Sequence, residues 1–171
     1  MKHPALVFFA VVCAGQQVRT PDLEKQRTAM KKLDFLVGKW KGEAHIQRGP
    51  GEPVVLEQTE DAHYKLDGLV LVIEGTGRTK DGKTPLQALG IISYDDETGS
   101  YRMRAFNDGR FMETEVKLID KGITWGFAAG QYRTSAVMRI DDHGDWIELH
   151  QIAVGADPPR KFMDLRVSRQ K

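Results

Sequence analysis

YRMRAFNDGRFMETEV, residues 101–116, carries a complete β-hairpin in its pattern. Asp108-Gly109 at its centre suits a two-residue type I′ turn, which needs positive φ at both positions. Folding the chain there sets Asn107 against Arg110, Phe106 against Phe111, Arg104 against Glu113 and Arg102 against Glu115. The other face pairs Ala105 with Met112, Met103 with Thr114 and Tyr101 with Val116. One face gains an aromatic pair and two opposite-charge pairs, each contributing about 0.2–1 kcal/mol, and the other is mostly apolar. A slip of one residue would mix the two sets, so the pattern fixes the register.

Working outward, period-two alternation runs from Val37 to the C-terminus. It predicts strands at about 37–48, 53–65, 68–77, 86–94, 100–107, 110–118, 122–128, 131–140, 145–152 and 160–168. The gaps hold turn chemistry such as Gly49-Pro50-Gly51, Asp67-Gly68, Asp81-Gly82, Thr98-Gly99, Lys121-Gly122, Ala129-Gly130 and Asp157-Pro158-Pro159. His143-Gly144 reads as another two-residue turn, which would set Arg139 against Glu148 and Met138 against Leu149. Short strands joined by tight turns, with no helices between them, argue for an antiparallel meander. An open meander leaves two bare edges, so the expected fold is all-β: an up-and-down antiparallel β-barrel of about ten strands. Ahead of it, Leu23, Met30, Leu33 and Leu36 fall near helical spacing among charged residues. One short N-terminal helix is expected over about 22–36, capped by Asp22 and stopped by Gly38.

The N-terminus reads as an address. Lys2 and His3 precede an unbroken apolar run, Ala5–Ala14. That run suits a secretory signal peptide and falls short of the roughly 20 residues of a membrane span. Residues 1–15 are the expected signal peptide, with a cut after Ala14, and 22–171 the barrel domain of an exported, periplasmic or extracellular protein. Cys13, the one cysteine, would leave with the signal, which suits an oxidising compartment. Lysine plus arginine number 25 against 24 acidic residues, and loss of Lys2 balances them. Such a balance speaks against nucleic-acid binding, and no second long apolar stretch speaks for membrane insertion after cleavage.

Gly38-Lys39-Trp40, followed by Gly42, opens the first strand. Trp40 shares a face with both glycines, which allow neighbouring backbone to approach the ring. A G-x-W after a short helix and before a meander resembles the calycin superfamily of lipocalin-like and fatty-acid-binding-protein-like barrels. The chain is similar, closer still, to a bacterial family of secreted lipocalin-like domains of unknown function. The matching stretches are Leu36–Gly42, Leu66-Asp67-Gly68 with Glu74-Gly75, Ser93-Tyr94-Asp95, Tyr101-Arg102, Ile123-Thr124-Trp125, Tyr132-Arg133, Trp146-Ile147-Glu148 and the closing Phe162–Arg169 strand. The resemblance implies that the tryptophan closes one end of the barrel under an arginine of the last strand, Arg166 or Arg169 here. It transfers no catalytic residue. Nitrobindin-like relatives of that superfamily bind haem through a histidine near the chain end. His150, the nearest candidate, lies mid-strand in a different context, which argues against haem, and the cofactor stays open.

The function expected is binding of a small apolar or amphipathic ligand in the barrel interior. The ligand-binding candidates are Val72, Tyr101, Met103, Met112, Trp125, Met138 and Leu149 for the walls, with Glu60, Glu74, Arg133 and Glu148 as polar anchors. Val70, Thr114, Ala136 and Ile147 share the wall faces, while Phe127 and Trp146 are alternatives of open phase. The charged residues admit a second placement, as outward cross-strand pairs, because burying an ion pair costs several kcal/mol per ion unless it is well hydrogen-bonded. No histidine spacing suits a metal site, so no metal ligand is assigned; His63 and His150 are the two that could face inward. Two other classes stand beside the binding module. One is an enzyme, an isomerase or hydrolase, using an inward glutamate as general base. The other is a structural domain with a filled core.

Overall fold

A computed structural model describes residues 19–171, so the expected signal peptide lies outside the described residues. Ten strands follow one helical segment: β1 (Gly38–Ile46), β2 (Val54–Lys65), β3 (Val70–Arg78), β4 (Leu86–Asp95), β5 (Ser100–Asn107), β6 (Arg110–Ile119), β7 (Gly122–Ala129), β8 (Tyr132–Ile140), β9 (Trp146–Val154) and β10 (Arg160–Arg169). Each pairs antiparallel with its sequence neighbours, and β10 pairs with β1 to close the barrel. No helix among the described residues is long and apolar enough to cross a membrane.

The hairpin at 108–109 forms as its pattern demands. Asp108 and Gly109 have φ of 49° and 73°, and all seven pairs from Tyr101↔Val116 to Asn107↔Arg110 form in the expected register. Phe106 and Phe111 lie 6.3 Å apart, and Arg104 meets Glu113 at 2.8 Å.

The helical segment changes pitch. α1 (Leu23–Met30) is capped by Asp22, whose side chain accepts from Lys25 N at 2.9 Å. The chain then tightens into a 3₁₀ turn at Lys31–Leu36, where Leu33 and Leu36, three apart, are both fully buried. The tyrosines of β2 and β5 complete the junction: Tyr64 donates to Met30 O at 2.6 Å and Tyr101 to Ala29 O at 2.7 Å. Asp96, in the β4–β5 turn, accepts from Asp22 N at 3.0 Å and Gln26 Nε2 at 2.7 Å, holding the helix across one end of the barrel.

Trp40 seals that end. Its Nε1 donates to Leu36 O at 2.8 Å, its ring meets Trp146 edge-on at 5.6 Å, and the Arg169 guanidinium sits 4.0 Å above it. Arg169 also donates to Val37 O and Phe35 O. Arg166, the other arginine considered for this role, faces outward and binds Asp141 at 2.6 Å and Asp145 at 2.9 Å.

One register differs from expectation. His143-Gly144 is not a two-residue turn. The Asp141 carboxylate accepts from His143 N at 2.9 Å and Asp145 N at 3.1 Å, which stabilises a five-residue connection, 141–145. Ile140 therefore pairs with Trp146, Arg139 with Ile147 and Met138 with Glu148. The expected Arg139–Glu148 pair does not form. The shift turns Trp146, Glu148 and His150 inward and Ile147 and Leu149 outward.

The barrel wall has one thin seam. β6 and β7 share only three pairs, Lys117↔Thr124 to Ile119↔Gly122. Beyond them, toward the end opposite the helix, Thr114 Oγ1 donates to Gly126 O at 2.6 Å and bridges the strands by a side chain.

Closure brings β1 and β10 too close for a side chain at Gly42, whose added Cβ would lie 2.1 Å from Arg166 O and 2.9 Å from Val167 Cα. Gly42→Ala is expected to cost at least ~2 kcal/mol, lowering the melting temperature by roughly 5–10 °C. Gly90→Ala is the control, since its Cβ would meet nothing nearer than Ile73 Cβ at 3.8 Å. It should stay within roughly 3 °C of the parent in the same melts.

Candidate functional site

Above Trp146 the barrel is hollow. A cavity of about 740 Å³ runs from there to the mouth formed by the turns opposite the helix. That volume lies within the range of small-molecule sites. Its walls are mostly apolar, with Met103, Ala105, Met112, Trp125, Met138 and Leu165 from five strands. Small inward residues leave the room: Gly75, Ala88, Gly90, Ala105 and Ala136 all stand at lining positions. At the mouth Phe106, Phe111 and Phe127 are substantially exposed.

The polar groups gather deep in the barrel, beside the tryptophans. Glu60 pairs across the sheet with Trp40 and with Gly75. Gln58 Nε2 donates to Glu60 Oε1 at 2.7 Å. Both side chains are held over glycines: a Cβ on Gly75 would lie 2.8 Å from Glu60 Oε2, and one on Gly77 2.7 Å from Gln58 Oε1. On β9, Glu148 accepts from Trp146 Nε1 at 3.3 Å and meets His150 Nε2 at 3.0 Å. The His150 ring stands edge-to-face with Trp125 at 5.6 Å and Phe162 at 5.7 Å. Phe162 reaches the lumen at an irregularity in the β9–β10 pairing between Lys161 and Met163.

Glu60 is the most perturbed group of this cluster. Burial pushes its carboxyl up to about 8; the charge on Glu148 adds to the rise, and the hydrogen bond from Gln58 opposes it. It is 7% exposed. A carboxyl so placed is neutral at pH 7 and able to donate or accept a proton near that pH.

Of the residues singled out from the sequence, Glu60, Met103, Met112, Trp125, Met138 and Glu148 line the cavity together. Tyr101 points inward but is buried under the helix, where its hydroxyl is bound to Ala29. Four stand on the outer face. Val72 and Glu74 are out of phase with Leu71, Ile73 and Gly75, the inward set of β3. Leu149 is turned out by the longer 141–145 connection and is 39% exposed. Arg133 alternates with inward Thr134 and donates to Gly155 O at 2.7 Å. His63 also lies outside, beside Asp61 at 3.4 Å.

Sequence reasoning missed Gln58 and left His150 open. Gln58 and Glu60 share a β2 face, and the Gly75-Thr76-Gly77 triplet supplies the small residues opposite them, so a large-over-small pairing was there to find. Among the described residues no three His, Cys, Asp or Glu side chains converge as a metal-binding set. Haem does not fit His150 in this arrangement. Nε2, the ring nitrogen farthest from the backbone, is engaged by the Glu148 carboxylate, and two aromatic rings flank the imidazole.

The raised Glu60 carboxyl has a consequence for stability. Between its ordinary value of 4.5 and about 8, the unfolded chain releases this proton while the folded barrel keeps it. The folded state then binds more protons, so Glu60 lowers stability as pH rises through that window and adds no further loss above it. Glu60→Gln removes the effect while retaining an acceptor for Gln58. The melting temperature of the variant relative to the parent should rise from pH 5 to pH 8, by a shift worth a few kcal/mol at ~1.4 kcal/mol per unit. Parallel melts across that range check it, and a constant difference would refute the placement of the charge.

The crystal structure of Rv2717c from M. tuberculosis superposes on this fold with a TM-score of 0.63, covering 84% of this chain and 98% of that one at 14% identity. At that identity the likeness bears on the fold alone. No curated protein matches the chain. Residues 25–169 match the family described as protein of unknown function (DUF1579), and that stretch takes in nearly all of the helix and all ten strands. The chain is a member of this DUF1579 family, built as a closed ten-stranded antiparallel barrel around a hollow with a polar floor.

Proposed function

We propose that this protein is an exported, calycin-like carrier or sensor that holds a small amphipathic molecule inside its barrel. The observation that carries the reading is the cavity of about 740 Å³, apolar along its walls and polar at its floor. A domain serving only as a scaffold gains nothing from such a void, because unfilled apolar space forfeits packing. The ligand's apolar body packs against Met103, Met112, Trp125 and Met138, and its polar end meets the Gln58–Glu60 and Glu148–His150 pairs. Entry is through the mouth, widened where β6 and β7 lack backbone pairing. Export rests on the basic start and apolar run of residues 1–15.

One observation favours a second reading. A desolvated carboxyl that titrates near neutral pH suits a general acid or base, so the barrel could act on its ligand by proton transfer. Deuterium uptake at carbon by a co-purified ligand in D₂O, lost in Glu60→Gln, would favour the enzyme over the carrier.

The binding reading is tested with the neutral apolar dye N-phenyl-1-naphthylamine. The parent should bind it with enhanced fluorescence. Ala105→Trp, which places a large ring in the lumen, should weaken binding by about ten-fold or more with the far-ultraviolet circular dichroism unchanged. Native mass spectrometry of protein from its own host should show a bound small molecule and a chain that lacks the expected signal.

A further inference from the structure

The polar floor is one-sided in its chemistry. Three side-chain N–H groups point into it, and all three are occupied by carboxyl groups: Gln58 Nε2 by Glu60, and Trp146 Nε1 and His150 Nε2 by Glu148. Acceptors remain in excess. Glu60 Oε2 makes no hydrogen bond among the described residues, although its residue is more than nine-tenths buried. The Gln58 Oε1 oxygen is buried without a partner as well. Each carboxylate oxygen can accept about two hydrogen bonds, so Glu148, and Glu60 once it gives up its proton, have capacity that the protein leaves unfilled. The cavity lining contains no lysine, and its single arginine, Arg110, stands exposed at the hairpin turn of the mouth.

We propose that the cavity selects amphipathic amines, with an ammonium head seated between Glu60 and Glu148 and an apolar body directed toward the mouth. The inference deepens the binding reading above and rests on it. An ammonium brings three donors and a positive charge to a floor rich in unfilled acceptors. A carboxylate brings more acceptors and a like charge to Glu148 and disfavours ionisation of Glu60, with no lysine or arginine at that depth to receive it, whereas an ammonium favours the ionised form of Glu60. A hydroxyl head is intermediate, since it supplies one donor and no charge. The depth of the site fits the same orientation. Glu60 is paired beside Trp40 and Glu148 lies two residues from Trp146, at the sealed end. Met112, Trp125 and Phe127 stand on the walls nearer the mouth, where an alkyl or aryl tail would lie.

The test compares three probes of one chain length, dodecylamine, 1-dodecanol and dodecanoate, each below its micelle concentration. Each competes with N-phenyl-1-naphthylamine for the full barrel at pH 7. Dodecylamine should displace the dye at least about ten-fold more tightly than dodecanoate, with dodecanol between them. Glu60→Gln and Glu148→Gln should each weaken the amine more than the alcohol and so narrow the gap between the two. Equal binding of the three, or preference for dodecanoate, overturns the amine assignment. Dye binding with no competition from any of the three overturns it too, while the cavity reading stands. Failure of the parent to bind the dye removes the cavity reading and this inference with it. The ranking on the parent protein decides the question even if a variant proves unstable.

Discussion

The pairing of β1 with β10 is the constraint on which the rest of the molecule depends. Seven pairs, Trp40↔Arg169 to Ile46↔Met163, turn a ten-stranded ribbon into a ring. Without them the sheet would expose two edges of unpaired amides and carbonyls, and its two faces would be equivalent. With them, alternate side chains on every strand share one interior. Trp40 concentrates this closure at one residue. It joins the first strand to the helical segment through Leu36 O, to the last strand through Arg169 and to the ninth through Trp146. The barrel is therefore sealed and the helix docked by the same ring.

A closed barrel still has to be filled or left open, and the side chains divide that choice by level. Under the helix the inward positions hold Leu71, Ile92, Val116, Ile123 and Val167, all nearly or completely buried. One level up, β3, β4 and β5 present glycine and alanine: Gly75 on β3, Ala88 and Gly90 on β4, Ala105 on β5. Interiors that serve stability alone pack to the density of organic crystals. Here β3, β4 and β5 pass from large inward residues under the helix to small ones above, so the hollow is specified by the sequence of the walls. The packed end anchors the barrel, and the open end is free to differ from a core.

The fold was largely legible because its signals are local. The 108–109 hairpin contains its own turn, register and face assignment, and the other turns place every strand boundary within about two residues. The resemblance around Gly38-Lys39-Trp40 correctly anticipated an arginine over the tryptophan. The site was less legible, and for two physical reasons. In Val70–Ile73 both faces are apolar, so alternation cannot say which points inward, and Val72 and Glu74 were assigned to the wrong side. In β9 the usual pattern is inverted: Glu148 and His150 face the lumen while Ile147 and Leu149 face solvent. Reading apolar as inward turns that strand inside out. Only the Asp141 carboxylate, which lengthens the preceding connection, corrects its phase. Departures of this kind are expected where a protein gives up core chemistry for function.

That inversion bears on what the interior is for. Glu60 is held in an apolar barrel beside another carboxylate, with only an amide to support it, and it escapes the cost of a buried charge by keeping its proton. A methionine or leucine there would pack better and make no demand on pH. The polar group is also accommodated by its surroundings, since Gly75 and Gly77 leave room for Glu60 and Gln58 and any Cβ at either glycine would collide with them. Two strands thus depart from good sheet formers to keep one carboxyl and one amide in the lumen. Stability alone does not select such an arrangement, whereas a ligand that completes its unfilled hydrogen bonds converts the same groups from a burden into a source of specificity.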